Sequence, residues 1–271
     1  MNHSNNKSDN GSDHGSKKIL QIENLTKTYG KGTSKTEALK GITFDVLEGE
    51  FLGIMGASGS GKTTLLNCIA TMLRPTSGRI ILTGQDISGF RGGSLADYRG
   101  RKIGYLFQEF ELLDNLTARE NILLPLCLHG VAAGKAQEEV RALAELLDIA
   151  PVLDKFPSQM SGGQKQRIAA ARALISDPDI LLCDEPTGAL DSRNSKILMD
   201  RLGDINKRRR KTILLVTHDA NAASYCSRIL FIQDGGIFHE LRRSETETTA
   251  DFYGRIVTVM AQLGGGSANV L

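Results

Sequence analysis

Gly56-Ala57-Ser58-Gly59-Ser60-Gly61-Lys62-Thr63-Thr64 fits the pattern G-x-x-x-x-G-K-[ST], a loop that cradles phosphates. Glycines at 56, 59 and 61 permit a tight curl that a Cβ would resist. The curled amides converge on a concave anion site. A helix starting near Gly61 adds its free N–H groups and the positive end of its dipole. Lys62 supplies a point charge for the β- and γ-phosphates, and the Thr63 hydroxyl is a ligand for Mg²⁺. Upstream, Phe51-Leu52-Gly53-Ile54-Met55 reads as a buried strand. Downstream, Leu65, Leu66, Ile69, Met72 and Leu73 recur at helical spacing. Strand, glycine loop and helix in that order predict an α/β nucleotide-binding core.

The 271 residues suffice for one full core with a lobe or insertion. Hydrophobic content of 40% and charged content of 24% are those of an ordinary globular protein. A net charge of +2 gives no pull toward nucleic acid, and no nucleic-acid partner is expected. Cys68, Cys127, Cys183 and Cys226 are far apart and form no metal-ligand spacing, so free thiols in a reducing compartment are expected. No secretory signal pattern is visible. The apolar run Ile122 to Leu128 contains Pro125 and falls well short of the ~20 residues that span a bilayer. Any work at a membrane is therefore expected to rely on another polypeptide.

Residues 1–18 are rich in Asn, Ser, Gly and Asp and read as a disordered tail; His3 and His14 belong to it. From Ile19 the chain is β-rich. Ile19 to Leu25 alternates like a half-buried strand, Lys27 to Gly32 reads as a turn carrying Tyr29, and Ala38 to Val46 as a second strand. Pro75-Thr76-Ser77-Gly78 closes the first helix. A helical lobe is expected at about 109–176: Thr117 and Glu120 form a capping-box pair, and Ala136 to Leu147 is strongly helical. Gln164 to Ile175 and Asn194 to Asn206 predict two more helices. Ile180 to Cys183 and Thr212 to Val216 predict buried parallel strands. Arg228 to Gln233, Asp234-Gly235-Gly236 and the residues from Ile237 read as a hairpin. Phe252, Ile256, Met260 and Leu263 mark an amphipathic helix within 241–271, before a glycine-rich tail. The basic run Lys207 to Lys211 reads as a solvated helix end that complements the dipole.

The strand at 180–183 ends in Asp184-Glu185. Acidic residues at the carboxyl end of a parallel strand face the ligand crevice of an α/β sheet. Asp184 is placed to hold Mg²⁺ and Glu185 to activate a water.

With these residues assembled, the chain resembles the ATPase subunits of ABC transporters. Met160-Ser161-Gly162-Gly163-Gln164 is similar to that family's signature, normally Leu-Ser-Gly-Gly-Gln. The resemblance implies a P-loop core with a mixed sheet over 19–240, an N-terminal antiparallel β subdomain and the inserted helical lobe. It implies ATP and Mg²⁺ as cofactors, with Tyr29 stacking on adenine and Gln108 sensing metal and water near the transmembrane partner. It gives Asp191, in Gly188-Ala189-Leu190-Asp191, to the dimer interface and His218 to the γ-phosphate. Ser161, Gly162, Gly163 and Gln164 would cover the nucleotide held by a second subunit. That implies a head-to-tail homodimer driving a separate permease, cytoplasmic and peripheral on the inner face of the membrane. Gly188, Pro75 to Gly78, Ala57 to Ser60 and the final helix resemble the macrolide, lipoprotein-release and antimicrobial-peptide branch, bacitracin-type systems in particular. An ATPase that gates a membrane sensor or a cell-wall hydrolase without transport is the alternative. A coiled-coil chromosome ATPase is disfavoured, because no sustained heptads lie between Lys62 and Ser161. His129 and His239 receive no role.

Overall fold

A computed structural model describes residues 17–30, 34–131 and 133–265. Residues 1–16 of the tail expected at 1–18 and the residues from 266 lie outside that range; Lys18 already begins the first strand, which corrects the end of that tail. Two sheets form the frame. The first is antiparallel, in the order β2-β1-β4-β5, from β1 (Lys18–Tyr29), β2 (Thr36–Leu47), β4 (Ser77–Leu82) and β5 (Gln85–Asp86). The second has the order β10-β9-β3-β8-β7-β6, from β3 (Phe51–Met55), β6 (Ile103–Leu106), β7 (Ile180–Asp184), β8 (Thr212–Val216), β9 (Arg228–Gln233) and β10 (Gly236–Arg242). Five of its strands run parallel and β10 closes one edge as an antiparallel hairpin with β9.

The near-continuous apolar runs of β3, β7 and β8 follow from burial on both faces. Successive residues point to opposite sides of a strand, and here each side has its own core. Leu52, Ile54, Leu182, Leu214 and Val216 pack with α1 (Lys62–Ile69) and the antiparallel sheet. Phe51, Met55, Leu181, Cys183, Ile213 and Leu215 face the helices on the opposite side. These helices are α3 (Ala118–Leu128), α4 (Ala133–Leu146), α5 (Gly162–Leu174), α6 (Ser192–Arg209), the short α7 (Ala220–Ala223) and α8 (Thr249–Gly265). Phe252 and Ile256 anchor α8 in that core and are fully buried. The Thr117 capping box opens α3, its hydroxyl accepting from Glu120 N.

Several expectations are corrected. Residues 27–29 continue β1 rather than turning, because Lys27, Thr28 and Tyr29 pair with Leu39, Glu37 and Thr36 of β2. The first helix stops at Ile69, and Thr71 takes a left-handed conformation (φ 59°), so Met72 is 45% exposed. The glycine-rich 92–102 segment forms α2 (Gly92–Lys102), which leads into β6; weak apolar periodicity concealed both. The basic run is not simply solvated. Arg209 pairs with Glu139 of α4, and Lys211 pairs with Asp177 and donates to Pro178 O.

Candidate nucleotide site

The phosphate loop leaves the carboxyl end of β3 and enters α1. Two glycines are sterically required. A Cβ on Gly61, whose φ is 103°, would stand 2.4 Å from Ala38 O. One on Gly56 would stand 2.2 Å from Ile232 O. Lys62, only 6% exposed, folds back so that Nζ donates to Gly56 O and Ala57 O, each at 2.9 Å. Burial pulls its pKa below the ordinary lysine value, and the carboxylates of Glu185 and Asp184 oppose that shift.

Parallel pairing of β7 with β8, and of β8 with β3, brings Asp184-Glu185 and Thr217-His218 to the same edge. Thr63 Oγ1 donates to Asp184 Oδ1 at 3.3 Å. Burial raises the Asp184 pKa, against hydrogen bonds from Tyr105 and Thr63 that lower it. Glu185 adopts a left-handed backbone (φ 46°), held by donation of its N–H to Val216 O and by acceptance from Gly188 N. Such strain in a non-glycine residue costs about 1–3 kcal/mol and persists where the surroundings enforce it. Its Oε2 lies 2.7 Å from His218 Nδ1.

The donor set fits a nucleotide triphosphate and a hard cation. Ser60 Oγ is buried in the loop with no hydrogen-bond partner among the described residues, and no described atom lies near the Cβ position of Gly59. A hydroxyl and a carboxylate in contact are oxygen ligands of the kind Mg²⁺ takes alongside phosphate. Among the described residues, no three His, Cys, Asp or Glu side chains cluster into a metal site of their own.

Gln108 leaves β6 and its amide packs on Gly188, where a Cβ would come within 2.9 Å of Nε2. Tyr29, 42% exposed, places its hydroxyl 3.4 Å from Thr64 Oγ1. Ser161 caps α5 in a reciprocal box with Gln164: Ser161 N donates to Gln164 Oε1 at 2.9 Å and Gln164 N to Ser161 Oγ at 3.3 Å. Gly162 packs against Phe110 and Leu190, and a Cβ on Gly163 would strike Asn194 Oδ1 at 2.1 Å. Asp191 caps α6 and binds the same Asn194 through both its N–H and its Nδ2. The residues 161–164 and Asp191 thus form one cluster. Among the described residues, no hydrogen bond or ion pair joins 161–164 to the phosphate loop.

Sequence reasoning missed Gln166 and Arg172. Gln166 is fully buried, and its Nε2 donates to Phe107 O and Pro186 O, tying α5 to the segments that carry Gln108 and Glu185. Arg172 donates to the carbonyls of Phe110 and Glu111. The available signal was a polar residue on the inward stripe of an alanine-rich helix.

The pattern of the ABC transporter family matches residues 39–188. The chain belongs to the ABC transporter family. It is 45% identical over 247 residues to the bacitracin export ATP-binding protein BceA of Halalkalibacterium halodurans, covering 91% of this chain and 97% of that one. It is 47% identical over 249 residues to the uncharacterized ABC transporter ATP-binding protein YvcR of Bacillus subtilis, covering 91% and 95%. A dimeric, post-hydrolysis structure of the ATP-binding cassette MJ0796 with ADP and phosphate superimposes with a TM-score of 0.76 at 37% identity. That match covers 83% of this chain and all of that one. This family member is an ATP-binding and ATP-hydrolysing subunit that energises a partner permease. No described helix is long and apolar enough to cross a membrane.

Proposed function

We propose that this ATPase powers a separate permease in a peptide-antibiotic export or resistance system of the bacitracin type. It works as a head-to-tail pair at the cytoplasmic face of the membrane. The Thr63–Asp184 contact carries the catalytic part, because it joins the phosphate loop to the acidic end of β7. The substrate class rests on similarity to BceA along nearly the whole of both chains.

In this reading the loop amides and Lys62 hold the β- and γ-phosphates, and Tyr29 stacks on adenine. Thr63 and Asp184, with Gln108 as a further candidate, would hold Mg²⁺, which would neutralise charge on the phosphoryl group during transfer. Glu185 orients the attacking water and takes its proton. His218 Nδ1 lies 2.7 Å from Glu185 Oε2, and the exposed ring is assigned to the γ-phosphate. Ser161, Gly162, Gly163 and Gln164 of one subunit cover the nucleotide bound by the other, with Asp191 at the shared face. What supports that division is that Ser161 and Gln164 bond to each other and Gly163 packs on the Asn194 held by Asp191, on α5 and α6 rather than on the phosphate loop.

The test is Glu185→Gln. Loss of the base should lower turnover by a factor of about 100 to 10,000. ATP binding is retained, dimers accumulate with ATP, and cells carrying the variant with its permease lose bacitracin tolerance. Unchanged turnover removes Glu185 from the mechanism. Lost turnover with full tolerance removes the peptide-antibiotic assignment.

A further inference from the structure

The side chain of Tyr105 has no part in the reading above, yet it touches the carboxylate at its centre. Tyr105 lies on β6 opposite Leu182 of β7, and Asp184 is two residues further along the same face. Its hydroxyl stands 3.3 Å from Asp184 Oδ2 and 3.1 Å from Asn67 Oδ1. Thr63 holds the other oxygen, Oδ1. Thr63 and Asn67 are four residues apart on α1, hence on one face of that helix. A closed circuit therefore runs from α1 through Thr63 to Asp184, back through Tyr105 to Asn67 and α1.

The phenol has one proton and two neighbours. The Asn67 amide can present either its oxygen or its nitrogen, since the two are assigned rather than seen. With the nitrogen turned inward, Asn67 donates to the phenol oxygen and the phenol proton goes to Asp184 Oδ2. The ring is packed independently against Phe107, tilted by 39° with the centroids 4.3 Å apart. The hydroxyl thus has little freedom to leave the carboxylate.

We infer that Tyr105 is a positioning residue for the metal site: its hydroxyl pins Asp184 Oδ2 and leaves Oδ1, on the Thr63 side, to serve Mg²⁺. This rests on the assignment of Asp184 and Thr63 to Mg²⁺. Outer-shell partners of metal ligands are commonly worth 10- to 100-fold in metal affinity. Tyr105→Phe removes one oxygen and keeps the ring.

Calorimetry of the full chain with a non-hydrolysable ATP analogue, in Mg²⁺ and again in EDTA, gives the factor by which metal tightens nucleotide binding. Tyr105→Phe should cut that factor by about tenfold while affinity in EDTA stays as in the wild type. Excess Mg²⁺ should restore turnover. Asp184→Asn, measured alongside, should abolish the metal-dependent gain. A full gain in Tyr105→Phe with a lost gain in Asp184→Asn overturns the role of Tyr105 and leaves the metal assignment standing. Equal weakening with and without metal, or a lower melting temperature with the gain intact, also overturns it. A full gain in Asp184→Asn removes the metal assignment and this inference together.

Discussion

His218 Nδ1 lies 2.7 Å from Glu185 Oε2, across the gap between the ends of β8 and β7. Glu185 is largely covered and backbone-strained, whereas the histidine ring is exposed. The contact brings the imidazole against one oxygen of the carboxylate assigned to the attacking water. Removing a preorganised group that stabilises charge developing in the transition state typically costs about 100- to 1,000-fold in turnover. His218→Ala should therefore retain nucleotide binding and lose turnover on that scale. A steady-state assay within about twofold of wild type would remove His218 from the site.

Gly163 and Asn194 make a second prediction. An added methyl at 163 meets Asn194 Oδ1 at 2.1 Å, and Asn194 is itself held by Asp191. Gly163→Ala should be destabilising, and Asn194→Ala should make room for it. The double variant should recover part of the loss, with a coupling of about 0.5–3 kcal/mol between contacting residues. Denaturant melts of the four proteins measure that coupling. Strict additivity would show that the collision is relieved elsewhere.

The parts of this molecule that were legible in the sequence are those with short-range chemistry. The phosphate loop, the Thr117 capping box and the apolar run of β8 each declare themselves within a few residues. The helix after the loop was read too long, because Met72 and Leu73 continue the apolar spacing while Thr71 breaks the backbone. Strand β6 was missed because four residues carry little periodicity. Asn194, Gln166 and Tyr105 were invisible for another reason. Each acts on a partner 20 to 79 positions away, and only the packing of α5, α6 and β6 shows it.

The thiols give a chemical test of the packing. Cys127 is exposed, while Cys68, Cys183 and Cys226 are buried. Burial raises the Cys68 pKa to about 11, so its reactive thiolate is scarce at pH 8 and grows only as pH approaches that value. The Cys183 and Cys226 thiols are pushed up further for the same reason. A thiol reagent at pH 8 should modify one cysteine rapidly in the native chain and all four after denaturation. Rapid modification of a second native thiol would contradict the burial of both cores.

Arg228 and Glu50 are both nearly buried, the guanidinium bonding both carboxylate oxygens and also Asp45 O. Removing one member of a buried ion pair leaves an uncompensated charge and costs about 3–5 kcal/mol. Arg228→Ala should lose that much in denaturant melts. A loss below about 1 kcal/mol would mean that water reaches Glu50 and stabilises its charge.

The shared-site reading predicts the behaviour of mixtures. Lys62→Ala disables a phosphate loop, and Ser161→Arg blocks a signature while monomers still bind nucleotide. Each variant alone should be inactive. In a two-fold dimer the residue of one subunit meets its complement on the other. A mixed dimer then pairs the intact loop of the Ser161→Arg chain with the intact signature of the Lys62→Ala chain. Random pairing of equal amounts makes half the dimers mixed, each with one good site of two, so about a quarter of wild-type turnover should return if the sites act independently. A site built within one chain predicts no recovery, because every chain then carries its own defect. Turnover of the mixture measured against its separate components decides between them.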